Sequence, residues 1–319
     1  MGFVIRKMKV DDIVDVKGVD LLSWSDLFEK SYGSKTKLTQ RTDENILSYL
    51  HADPEGAFVA SDDYAGVVGL VFSHVWGMTG WVGPLSVLPE YQARGLGKDL
   101  LRQSLNYLED LGCVDIGLET MPENALNLGL YLKVGLRPET LVLIVGKKIE
   151  PERLQEEPIG GVAVERFSES SVQNKLLSEF RRVSGALRLG LDYTKEVEMV
   201  QEFSMGDTIV ATSKGRVAGF CVVHTKPRRV KAPAGMVRVL AIDPSAKEDI
   251  IEPLLVSAEL LVADAGLREI SLSVPSPCRR ALDISFSRGY SVSRTLERLM
   301  WIGSSGTSER TYNLCSWSG

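Results

Sequence analysis

Apolar residues fall in short runs broken by turn-forming clusters, and the period of the runs changes along the chain. FVIRKM (3–8) reads as a strand. Asp11 and Asp12 behind it mark a helix start, where acidic groups meet the positive end of the dipole. Another helix is expected from about Asp43 to His51. AFVAS (57–61) and GVVGLVFSHV (66–75) are β-branched strands around the turn DDYAG. WVGPLSVL (81–88) is a strand. GKDLLRQSLNYLEDLG (97–112) carries an apolar stripe at helical spacing and stops at Gly112. VDIGLET (114–120) is a strand, ENALNLGLYLKVG (123–135) a helix and TLVLIVGKKI (140–149) a closing strand. No Asp, Glu, Lys or Arg occurs from Tyr64 to Pro89. The glycines and β-branched blocks there predict two buried strands about the turn WGMTG, not a membrane span.

The segment KKIEPERLQEEPIGG (147–161) is charged, rich in Pro and Gly, and reads as a linker. The pattern then repeats. VAVERFSESS echoes FVIRKMKVDD, and IVATSKGRVAGFCVVH (209–224) echoes FVASDDYAGVVGLVFSH (58–74). VLAIDP (239–244) echoes LSVLP, ADAGLREISLS (263–273) echoes EDLGCVDIGLE (109–119), and FSRGY (286–290) echoes LKVGL. A steady offset of about 150 residues is the signature of a duplicated domain. The division expected is 1–150 for the first domain, 160–303 for the second and 304–319 for a tail that carries no clear signal. The 319 residues, 44% apolar and 25% charged, suit about two soluble domains.

The net charge of −5 argues against a nucleic-acid partner and fits cationic substrates. Four cysteines lie more than thirty residues apart with no CxxC pair, so neither a metal site nor a disulfide framework is expected. A reduced, cytoplasmic setting fits. The start, MGFVIRKMKVDDI, has no long apolar core and does not read as a secretory signal.

The candidate chemistry begins at VLPEYQARGLGKDLL (87–101). Gly95 and Gly97 stand where a strand hands over to a helix. Backbone N–H groups converge at such a turn and the helix dipole favours an anion. A tight structural turn is the plain alternative, since neither GxGxxG nor GxxxxGK[ST] is present. The stretch resembles the acyl-coenzyme A (acyl-CoA) binding motif of the GNAT acyltransferase superfamily, Gln/Arg-x-x-Gly-x-Gly/Ala after a strand and a Pro turn. LETMPENALNLGLYLKVGLRP resembles a second block of that family at Asn124, Tyr131 and Gly135, with Asn127 and Leu136 departing from its Ala and Phe.

The resemblance covers residues 3–149. It implies an α/β fold, two tandem GNAT-like domains each built as a twisted mixed β-sheet flanked by helices. It implies that Leu85, Ser86 and Val87 offer backbone groups to pantetheine. The turn Gln92, Ala93, Arg94, Gly95, Leu96, Gly97 and Lys98 would cradle the pyrophosphate. Acetyl-CoA is then the co-substrate and a primary amine the acceptor: a small molecule, or alternatively a protein or peptide amine. A sensor that binds acyl-CoA without turnover is the non-enzyme alternative. Tyr131 sits where the family often places the acid for the leaving thiolate, and Glu119 where some members place a general base. Core packing is the plain reading of Tyr131, a structural pairing that of Glu119, and helix capping that of Asn124.

In register, the second copy has Asp249 and Ile251 for Gly95 and Gly97, and Ser285, Cys278 and Ser273 for Tyr131, Asn124 and Glu119. It is expected to keep the fold without binding coenzyme. Packing on the first domain, shaping the acceptor pocket and dimerisation are the roles open to it. The acceptor loops are expected at Trp24–Thr42 and Trp76–Gly80. Trp76, Met78 and Trp81 read as either pocket lining or core. KPRRVK (226–231) reads as a solvated hairpin loop. His74 and His224 hold matching strand positions in the two copies, and no triad or metal set is visible.

Overall fold

The computed structural model describes residues 2–33, 38–153, 161–230, 234–246, 250–308 and 313–317. The first half runs β1 (Phe3–Lys7), α1 (Ile13–Tyr32), α2 (Asp43–Ala52), β2 (Ala57–Asp62), β3 (Gly66–Trp76), β4 (Thr79–Val87), α3 (Leu96–Asp110), β5 (Asp115–Thr120), α4 (Ala125–Val134) and β6 (Arg137–Lys148). The second half repeats the order: β7 (Val162–Arg166), α5 (Gln173–Leu187), α6 (Thr194–Glu202), β8 (Gly206–Ser213), β9 (Arg216–His224), β10 (Ala234–Ile242), α7 (Ile251–Asp264), β11 (Glu269–Pro275), α8 (Arg279–Ser287) and β12 (Ser291–Ile302). A short strand, β13 (Asn313–Cys315), lies in the tail. Of the 147–161 linker, residues 154–160 lie outside the described residues, as do 309–312, 318 and 319 of the tail.

The α3 stripe is typical of how these elements form. Leu96, Leu100, Leu101, Leu105 and Leu108 recur at helical spacing and are buried against the sheet. The segment from Trp24 onward differs from expectation. It is helical as far as Tyr32, the C-terminal part of α1, and residues 34–37 lie outside the described residues. Asp, Ser and Gly18 inside α1 blur the apolar stripe, so its length did not show in the pattern.

All strands share one sheet, in the order β1-β2-β3-β4-β5-β12-β6-β11-β10-β9-β8-β7. The order reads the same from either edge once each strand is matched to its repeat, which places a pseudo-two-fold axis between β12 and β6. The last strands of the two copies are exchanged. β12 pairs with β5 of the first copy, and β6 pairs with β11 of the second. The repeats are therefore consecutive in sequence while the sheet crosses their boundary.

Among the described residues, only β4–β5 and β10–β11 are parallel pairs. Each parts after a few residues. The first ends at Trp81↔Gly117 and the second at Val237↔Leu272. Beyond the second parting, β13 takes the free edge of β10, with Val239↔Cys315, Leu240↔Leu314 and Ala241↔Asn313. The tail thus fills the gap in the second copy that stays open in the first.

The copies are joined by polar pairs, each on a buried carboxylate. Lys195 contacts Asp53 at 2.7 Å, Arg229 contacts Asp20 at 2.6 Å, Arg298 contacts Glu119 at 2.6 Å, and Arg188 pairs with Asp115. The Trp76–Gly80 turn is part of this junction and not an acceptor loop. Trp76 and Trp81 are buried among Tyr193, Phe180 and Phe220 of the second copy, and the Trp76 indole N–H donates to Glu196 at 2.9 Å. Met78 N–H donates to the Gly190 carbonyl at 2.8 Å. Gly77 has φ +65, and a Cβ there would come within 2.1 Å of the Gly190 oxygen. Only glycine permits that approach.

Candidate active site

The site lies where β4 and β5 diverge. Past Trp81 the edge of β4 facing β5 has no strand partner, while its other edge stays paired with β3 through Leu85↔Val71, Ser86↔Leu70 and Val87↔Gly69. The free edge of Leu85–Val87 presents backbone groups to the gap. Ser86 is buried, and its hydroxyl has no hydrogen-bond partner among the described residues.

The turn after β4 leads into α3. Gln92 ties it back, its side-chain amide donating to the Val87 carbonyl at 3.0 Å. Ala93 has φ 58, and Gly95, the residue capping α3, has φ 91. Gly95 is free of the penalty a side chain meets in that region. The first helical bond runs from Asp99 N–H to the Gly95 carbonyl at 3.1 Å. The N–H groups of Leu96, Gly97 and Lys98 stand ahead of it, outside the helical ladder, at the positive end of the dipole.

A cavity of about 1030 Å³ runs along this gap and continues between the copies. Leu85, Val87, Gln92, Ala93, Gly95, Gly97, Lys98, Glu119, Asn124 and Tyr131 line it. Ser86, Arg94 and Leu96 do not. Ser86 and Leu96 are buried beneath the surface, and the Arg94 guanidinium lies 5.2 Å from the Tyr91 ring centroid. Asn124 caps α4, its Oδ1 accepting from Asn127 N–H at 3.0 Å. Tyr131 is buried on α4; burial pushes its pKa up to about 12, with a smaller opposing pull from a hydrogen bond to Thr120.

Glu119 is not a free base. Its side chain and that of Arg298 are both wholly buried. Oε1 accepts from Arg298 Nη2 at 2.6 Å and Nε at 3.1 Å, and Oε2 accepts from Trp317 N–H at 3.0 Å. Both oxygens are committed to the second copy and the tail.

The basic hairpin also departs from expectation. Its described part is clamped to the first copy and is not a solvated loop. Arg228 carbonyl accepts from Thr42 N–H at 3.0 Å, Val230 N–H donates to Gln40 carbonyl at 2.9 Å, and Arg229 reaches Asp20. Lys231 lies outside the described residues. Arg228, Arg294, Leu296, His224 and Trp317 join the cavity wall with Trp24 and Leu27. Shaping the acceptor pocket was one of the roles open to the second copy, but the sequence did not point to these residues; the arginine pair in KPRRVK was the one visible signal. His74 and His224 have parted roles. The His74 ring bonds the Gly83 carbonyl at 2.7 Å and stacks on Trp81, whereas His224 Nε2 has no partner among the described residues.

In the second copy, Ile251 starts α7 and is fully buried, Ser285 donates back to Ala281 carbonyl at 2.7 Å, and Cys278 is buried. Asp249 lies outside the described residues. Among the described residues no cluster of His, Cys, Asp or Glu could hold a metal ion, and no helix is long and apolar enough to cross a membrane.

A twisted mixed sheet with a splayed parallel pair, and a glycine-bearing helix start at the splay, define the GNAT class of fold. Residues 21–136 match the model of the acetyltransferase (GNAT) family. N-alpha-acetyltransferase 30 of Schizosaccharomyces pombe is 30% identical over 91 residues, which is 27% of this chain and 61% of that protein. A structure from Pyrococcus horikoshii, 18% identical, matches 99% of this chain and 95% of its own at TM-score 0.70. A tandem GNAT protein from the clavulanic acid biosynthesis pathway, 13% identical, matches 94% of this chain and 98% of its own at TM-score 0.60. At these identities the two structures bear on the fold, and the second shares its tandem plan.

Proposed function

We propose that the first copy (residues 1–150) transfers an acetyl group from acetyl-CoA to the primary amine of a small molecule, with the second copy (160–303) closing the acceptor side. The observation that carries this is the open β4–β5 gap, bordered by the α3 start and Tyr131, in a cavity that the second copy walls. Pantetheine would lie along Leu85–Val87 and the pyrophosphate at the α3 turn. The neutral amine attacks the thioester carbon and the C–S bond breaks. Tyr131 donates its phenolic proton to the departing sulfur, and the amine proton leaves through cavity water. Four buried free cysteines fit the expected cytoplasmic setting. The fission-yeast relative's name favours a second reading, a protein amino terminus as acceptor. Thiol release from acetyl-CoA, measured with small amines and with short peptides bearing free amino termini, separates the two. Release with peptides alone moves the assignment to the second reading, and none with either leaves a binding module.

Tyr131→Phe is expected to lower kcat about 10²-fold, the usual scale for one general acid, with the Kd for acetyl-CoA unchanged. Charge on the sulfur develops mainly in the transition state, so binding is spared. The raised pKa keeps the phenol protonated across the working range. kcat/KM should therefore rise with pH as the acceptor amine loses its proton, with no descending limb from Tyr131 below about pH 10, well under its pKa of about 12. A mutant with wild-type kcat would reduce Tyr131 to a packing residue.

A further inference from the structure

The acceptor side of the cavity is basic, and the second copy makes it so. Seven Lys and Arg side chains line the cavity against three acidic ones. Much of that charge is already spoken for. Arg41 and Arg229 share buried Asp20 at 2.9 and 2.6 Å. Of the acids, Asp26 is held by Lys30 at 2.7 Å and Glu119 by Arg298 at 2.6 Å. Arg228, from the hairpin after β9, and Arg294, near the start of β12, belong to the same wall. Burial around Arg228 pushes its pKa down to about 10; the nearby Tyr49 hydroxyl opposes that shift and Arg238, Arg41 and Arg294 add to it, while Arg228 Nη2 also donates to Met236 Sδ at 2.6 Å. Of the wall's arginines, Arg228 and Arg294 lie close enough to repel one another, and an anion placed between them is favoured.

Neutral hydrogen-bonding groups stand beside it. The Trp24 indole N–H and His224 Nε2 line the cavity, are buried, and have no partner among the described residues. Burial pushes His224 down to about 3, so its imidazole is neutral near pH 7. Unpaired buried polar atoms are costly, and a ligand that meets them recovers that cost.

We infer that the acceptor amine carries an anionic group, a carboxylate or a phosphate, which Arg228 and Arg294 hold while the amino group faces the thioester. This rests on the transferase reading above and names its substrate class. It also replaces the expectation of a cationic substrate drawn from the net charge, because the local wall opposes the sign of the whole chain. The planar fork of arginine suits both oxyanions.

The test is thiol release from acetyl-CoA by the full chain. The probes are the L-amino acids, their carboxamides, phosphoethanolamine, and polyamines. The anionic amines should exceed their neutral counterparts in kcat/KM by about 10- to 100-fold, the worth of one charged hydrogen-bonded contact. Which arm responds, amino acids or phosphoethanolamine, tells carboxylate from phosphate. Arg294→Gln, at an exposed position, should raise KM for the preferred acceptor about 10-fold or more and leave KM for acetyl-CoA unchanged. Preference for carboxamides or polyamines overturns the inference while the transferase reading stands. So does a rise in KM for acetyl-CoA that disappears with its 3′-dephospho form, because the guanidinium would then read the coenzyme. Acetyl-CoA binding without thiol release for any amine removes the transferase reading itself, and this inference with it.

Discussion

Gly97→Ile is expected to abolish acyl-CoA binding while the protein stays folded. Gly97 lies in the first turn of α3, and a Cβ there would meet Leu130, Val87 and Leu85 no closer than 3.7 Å. The backbone therefore accepts a side chain at ordinary contact. The remaining atoms of isoleucine would extend into the groove where the coenzyme has to approach the N–H groups. The second copy shows the end state, with Ile251 buried at the start of α7 and β13 lying along β10. Two devices close that copy, one steric and one by strand addition. Calorimetry on the wild type should find one acyl-CoA per chain. In Gly97→Ile the affinity should fall about 10³-fold or more, a loss of roughly 4 kcal/mol, with the melting temperature within a few degrees of wild type. Two equivalent sites in the wild type, or wild-type affinity in the mutant, would remove the pyrophosphate assignment.

The elements of the first half were legible because each carries its own local signal: the apolar run of 57–61, the leucine stripe of α3, the glycine stop at 112. The exchange of β6 and β12 was not. β6 and β12 are the matching strands of the two halves, and the choice of which one pairs with β5 depends on contacts some 150 residues apart. The tail gave no signal because β13 is three residues long and gains its place from the free edge of β10. KPRRVK looked solvated because nothing local reveals Asp20, the buried carboxylate that draws Arg229 inward. The site divides in the same way. Its coenzyme half is a local motif and could be read in line; its acceptor half is assembled from two copies.

Breaking the Glu119–Arg298 pair is expected to be the costliest change in stability among these. Both side chains are wholly buried. Arg298 Nη2 also donates to the Cys315 carbonyl at 2.8 Å, and the guanidinium lies 4.5 Å from the Trp317 ring centroid. The pair thus joins β5, the exchanged strand β12 and the tail. Arg298→Met leaves Glu119 a buried carboxylate with only a backbone N–H, and should cost about 3–5 kcal/mol, the range for removing one partner of a buried ion pair. Glu119→Gln keeps shape and one acceptor oxygen but strands the arginine charge, and should cost somewhat less. Combining the two removes both charges at similar volume, so the double mutant should recover part of the loss, a coupling that a double-mutant cycle measures directly. Urea unfolding gives these energies, and thiol release per folded molecule on the same preparations gives the chemistry. A structural Glu119 predicts lowered stability with nearly full activity in the folded fraction. If Glu119→Gln were instead as stable as wild type and about 10²-fold slower near neutral pH, recovering as pH rises, the carboxylate would be acting as a base. The ion pair would then have to open during turnover.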